Sequence, residues 1–232
     1  MSAILCGTEP PELVMFPGEF IRAISVFMEV APALALLARR ARETPAHWWI
    51  AAAIGSWAVE DCLMLWMGSR GHTNLWIIYA ANPFTMALFL MGYAAWAPRP
   101  QMATWLRRGI VVYIAIWAVL FSALENPARF SLYTAPLQAM LLLTLGCAGI
   151  VYSLRVATAP VWKYDLFWIS AGLLLDSSAA VLFSPVSAVL VPTSPQRVKL
   201  YVAGKAAVSV VAYALVTMGM LCRPIQSNSG AS

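Results

Sequence analysis

Apolar residues in this chain run consecutively; they neither alternate nor mark one stripe of a helix. Seven such runs follow one another, at about 19–38, 48–67, 74–97, 105–124, 131–154, 162–182 and 198–221. Each holds roughly 20 residues, enough at about 1.5 Å per residue to cross a hydrocarbon core about 30 Å thick. The strands of a membrane barrel would alternate over about 10 residues, and these runs do not. Lipid offers no partner to backbone N–H and C=O groups, so the pattern predicts helices. The predicted fold class is all-α: a polytopic membrane protein with seven transmembrane helices, one domain over residues 1–232.

Polar punctuation sets the expected boundaries. Arg39, Arg40 and Arg42 stop the first run, Pro98-Arg99-Pro100 the third, and Glu125-Asn126-Pro127 the fourth. Pro185 is expected to break the sixth, with Pro192 and Pro195 in the longest loop. Pro32, Pro83 and Pro136 fall inside the first, third and fifth runs, where each frees a carbonyl and permits a kink. Ala203, Gly204 and Ala207 offer a close-packing face on the seventh helix.

Lys and Arg give the expected orientation. One side carries Arg39, Arg40, Arg42, Arg99, Arg107, Arg108, Arg155, Lys163 and Arg223; the other carries Arg22, Arg70, Arg129, Arg197 and Lys199. The richer side is the cytoplasmic one, which puts the N-terminus outside and the C-terminus in the cytoplasm. The formal net charge of +5 is thus a topology signal, and no aromatic-rich basic patch points to nucleic acid.

Hydrophobic residues form 61% of the chain and charged residues 11%, so each charge inside a run stands out. Five ionisable side chains lie there: Glu29, Glu60, Asp61, Asp176 and Lys205. Such groups are costly in hydrocarbon and face a bundle interior or a wet cavity. Helical rise puts Glu60, Asp61, Asp176 and Lys205 about 9 to 12 Å below the outer face, with Glu29 deeper. Asn82 and Gln138 fall near the same level. The candidate ligand-binding set is Glu60, Asp61, Asn82, Gln138, Asp176 and Lys205. Lys205 is expected to pair with Asp176 or Asp61. Glu60 and Asp61 differ by about 100° around a helix, so only one of them is expected to face a shared pocket. The alternative is that these groups only tie helices together.

Catalytic and metal chemistry have little to build on. Ser177 and Ser178 have no intramembrane histidine beside them, and His47 and His72 sit at opposite faces. The four cysteines show no metal-ligand spacing; Cys62 and Cys147 are expected as small core residues. The sequence specifies no cofactor, metal site or catalytic residue.

Three resemblances bear on function. Lys205 on a seventh helix is similar to the retinal lysine of microbial rhodopsins, but Tyr201 stands where that family has a carboxylate, and the third helix has no acid. Seven helices with prolines look like small sugar carriers, without their proline-glutamine pairs. The segments Gly71-His-Thr-Asn-Leu-Trp-Ile-Ile-Tyr79 and Asp165-Leu-Phe-Trp-Ile-Ser-Ala-Gly-Leu173 resemble a group of uncharacterised bacterial seven-helix membrane proteins. That resemblance implies a bacterial inner-membrane protein and no particular activity. The expected function is non-catalytic: binding a small ligand or partner through an outward polar pocket, as a sensor or as an accessory subunit with other membrane proteins. The alternatives are a small proton-coupled carrier, then a lipid-acting enzyme or a retinal-binding protein.

Overall fold

The computed structural model describes residues 17–38, 44–70, 75–127, 131–190, 195–222 and 224. Among these residues the fold is all-helical, with no strand. Seven α-helices follow in order: α1 (Pro17–Ala38), α2 (Pro45–Ser69), α3 (Trp76–Trp96), α4 (Pro100–Leu124), α5 (Thr134–Val156), α6 (Asp165–Leu190) and α7 (Pro195–Leu221). A single 3-10 turn, Val161–Lys163, leads into α6.

Six of the helices, α2 to α7, are long and apolar enough to cross a membrane, which makes the chain an integral membrane protein. The seventh, α1, has 22 residues, Pro17–Ala38, and its apolar stretch among the described residues is Ala23–Ala38.

Several boundaries move for one reason. Four helices begin at a proline: Pro17, Pro45, Pro100 and Pro195. A first-turn N–H has no acceptor within the helix, so proline loses nothing there and its fixed φ suits the start. Pro100 and Pro195, read from the sequence as loop residues, are therefore start signals. α6 also continues through Pro185 to Leu190. Much of the long loop expected over 184–196 is therefore helix, and residues 191–194, Pro192 among them, lie outside the described residues. Pro136 sits in the first turn of α5, not mid-helix, whereas Pro32 and Pro83 are internal to α1 and α3.

Six helices close a ring: α1 on α2, α2 on α3, α3 on α5, α5 on α6, α6 on α7 and α7 back on α1. α4 stands outside, against α3, and buries only Tyr113. Helix approach is closest around α6. A Cβ on Gly172 would lie 2.5 Å from the Ala212 carbonyl oxygen, so α7 can approach only because no side chain is there. The close-packing face expected at Gly204 and Ala207 instead points outward. Cys62 and Cys147 are exposed too, not core residues; an apolar run is compatible with either side of a lipid-embedded helix.

One half of the ring is plugged by apolar side chains. Ile50 and Ile54 of α2 meet Met86 and Phe89 of α3 and Ile169 of α6. Lipid is as apolar as these side chains, so the plug holds by close packing more than by hydrophobic transfer. At the same end His47 Nε2 lies 2.9 Å from Asp165 Oδ2, joining the start of α2 to the start of α6. Both side chains are buried.

Candidate functional site

The other half of the ring encloses a cavity of about 370 Å³. All six ring helices line it, and α4 does not. The lining follows helical spacing. α2 supplies Trp57, Glu60, Asp61 and Met64; α5 supplies Ala135, Gln138, Ala139 and Leu142. Both sets are i, i+3, i+4, i+7, one continuous stripe on a helix. α7 adds Val202, Lys205, Ala206 and Ser209 in the same register.

That register corrects one expectation. Glu60 and Asp61 both line the cavity, because a stripe about 100° wide includes adjacent positions. Glu60, Asp61, Gln138, Asp176 and Lys205 are thus brought together, and Glu29 joins them from α1. Asn82 is the exception. It is buried one turn beyond Ile78, the last α3 residue to line the cavity. Its Nδ2 has no hydrogen-bond partner among the described residues.

Exposure gives the cavity a direction. Glu60, Asp61, Met64, Leu75 and Val202, near the α2–α3 and α6–α7 connections, are half-buried. Glu29, Gln138, Asp176, Ser177 and Ser209 are buried. The mouth therefore lies at the end of the bundle where α2 finishes and α3 begins. Trp57 forms part of the floor: its ring packs 4.9 Å from that of Phe89, in the apolar plug, and 6.4 Å from that of Tyr213.

The polar groups inside are unevenly satisfied. Ser209 Oγ donates to Asp176 Oδ1 at 2.6 Å, and Tyr213 is hydrogen-bonded to Glu29. The expected ion pair of Lys205 with Asp176 or Asp61 does not form at contact distance. Among the described residues no carboxylate lies within 4.0 Å of the Lys205 ammonium. Nζ instead sits 5.9 Å from the centroid of the Phe183 ring, where all four acids still act on it electrostatically. The Ser209 hydroxyl takes the place on Asp176 that Lys205 was expected to fill. Two buried atoms on lining residues have no hydrogen-bond partner among the described residues: Glu29 Oε2 and Gln138 Nε2.

No protein-family model, curated protein or solved structure matches the chain.

Two further polar clusters were not read from the sequence. The His47 and Asp165 pair is one; His72, the other histidine, lies outside the described residues. Thr44 N donates to His47 Nδ1 at 3.3 Å, which makes Nδ1 an acceptor and leaves the proton on Nε2, facing Asp165. The contact is a close polar approach and not an aligned hydrogen bond. The second cluster is Glu125, between α4 and α5. Its Oε1 accepts from Thr134 N at 2.8 Å, Tyr133 N at 2.9 Å and Ser131 Oγ at 2.7 Å. The carboxylate caps the start of α5, where free N–H groups and the helix dipole favour negative charge. Partial burial pushes the Glu125 carboxyl up, but these donors outweigh it and hold it below the usual range. An acid a few residues before an apolar run was the available signal.

Proposed function

We propose that this chain is a non-catalytic membrane protein that binds a small ligand in the ring cavity, as a sensor or an accessory subunit of a membrane complex. One observation carries the reading. Glu29 and Gln138, on opposite walls, both line the cavity, and each carries a buried polar atom with no hydrogen-bond partner among the described residues. Buried polar groups in folded proteins find partners in the great majority of cases, and leaving one unmet costs about 1–3 kcal/mol. A ligand contacting both walls supplies what the fold does not. The volume falls in the range typical of small-molecule pockets, roughly 300 to 1,000 Å³. The Lys and Arg bias favours a mouth facing outside, and the resemblance of residues 71–79 and 165–173 to bacterial seven-helix proteins favours a bacterial inner membrane.

The test is native mass spectrometry of the full chain, extracted from its own membrane in mild detergent. The expected result is one stoichiometric small molecule, lost in the Glu29→Gln, Gln138→Leu double variant. A chain that retains nothing, with a variant equal to the wild type in stability, contradicts the reading.

A small carrier is the second reading, favoured by the position of Lys205. It lines the cavity together with Glu29, Glu60, Asp61 and Asp176. A cation set among acids inside a membrane is the chemistry a proton-coupling residue requires. Solute uptake by the purified chain in liposomes separates a carrier from a subunit.

A further inference from the structure

The chemistry of the cavity wall narrows the ligand class. We propose that the cavity takes a small organic cation, an amine. The proposal rests on the binding reading above.

Charge is the first argument. Glu29, Glu60, Asp61 and Asp176 line the cavity, and among the described residues Lys205 is the one cationic residue beside them. An anionic ligand would bring a further negative charge against these acids in a low-dielectric site. A cationic ligand finds acidic partners on several walls.

Size is the second. The acids surround the space and do not converge. Among the described residues no three His, Cys, Asp or Glu side chains come together as a metal cage. A point-like ion could not reach the separate walls, whereas an organic cation can bridge them.

The third argument is a site that already holds an ammonium. Lys205 Nζ lies over the Phe183 ring at 5.9 Å, within the distance at which an aromatic face attracts a cation. Trp57 and Tyr213 place two more aromatic rings on the same cavity. Lys205 is then a tethered competitor: it occupies an ammonium position that the ligand would share, and it weakens binding by like-charge repulsion.

The test uses three probes of one shape: benzylamine, benzyl alcohol and benzoate, titrated calorimetrically at neutral pH into the full chain in nanodiscs. Benzylamine is expected to bind saturably, at least tenfold more tightly than the other two. It should weaken about tenfold in Asp176→Asn and tighten about tenfold in Lys205→Met, as expected for removing one neighbouring charge at reduced dielectric. Should Lys205→Met not fold, Lys205→Gln and the wild-type order of the three probes carry the same information. If benzoate or benzyl alcohol binds better than benzylamine, and Glu29→Gln abolishes it, the cationic class is overturned while the cavity remains a binding site. If none of the probes binds the wild type, both the class and the binding reading fall.

Discussion

His47 Nε2 and Asp165 Oδ2 approach to 2.9 Å across the closed end of the bundle, between residues 118 apart in sequence. The edge of the imidazole also meets the Trp96 ring, at 5.9 Å and 87°. This contact fastens α2 to α6, which are not neighbours in the ring, below the apolar plug. Removing the imidazole takes away a polar group that faces the buried Asp165 carboxylate. His47→Ala is expected to destabilise the protein by about 1–3 kcal/mol, and His47→Gln by less. Thermal unfolding in detergent measures both.

Gly172 permits the closest approach of α6 and α7. A methyl group there meets backbone, the Ala212 oxygen at 2.5 Å, and backbone cannot swing aside as a side-chain tip can. Gly172→Ala is expected to cost about 1–3 kcal/mol through overpacking. A methyl group on Gly204 of α7 would meet nothing within 4 Å, so Gly204→Ala is expected to be neutral or slightly stabilising from helix propensity. Equal melting temperatures for the two variants would contradict the packing described.

Glu125 links stability to pH. Its folded carboxyl titrates below the unfolded one, so its contribution is present above the unfolded pKa, ordinarily near 4.5. That contribution is lost as pH falls through the lower, folded value. Glu125→Gln should flatten this part of the stability profile on the acid side of about pH 4.5 and leave its shape near neutrality unchanged. Glu125→Ala is expected to cost about 1 kcal/mol at neutral pH, as loss of a helix cap does. Chemical unfolding across pH 3 to 7 shows both effects.

The Asp176 carboxylate is held by Ser209 and not by Lys205. Ser209→Ala should therefore destabilise by about 1.5–3 kcal/mol, the range for a hydrogen bond to a charged group. Asp176→Asn and Lys205→Met should combine without the strong mutual rescue of a direct ion pair. A double-mutant cycle decides, and a large rescue would restore the ion-pair description.

The helices were legible because lipid allows little else: long apolar runs must satisfy their own backbone groups. Glu60, Asp61, Asp176 and Lys205 were legible because charge is rare in such runs, and helical rise gave their common level. Azimuth was harder to read. Asn82 has the right depth but lies beyond the part of α3 that meets the cavity, and Glu60 and Asp61 share a stripe that a simple angle rule divided between two faces. Proline was misread where it starts helices, at Pro100 and Pro195, since start and stop use the same residue. The His47 and Asp165 contact depends on how the ring closes, which no local pattern encodes.

The central claim is that the polar layer is an accessible cavity and not a dry knot of hydrogen bonds. Thiol labelling tests it most directly. Ala206 and Ala212 both lie on α7 and both are buried, but only Ala206 lines the cavity. In a cysteine-free background, a small charged, membrane-impermeant thiol reagent should modify Ala206→Cys from one side of the membrane and spare Ala212→Cys. If Ala206→Cys proves as inert as Ala212→Cys while both proteins remain folded, the layer is dry and the binding account fails.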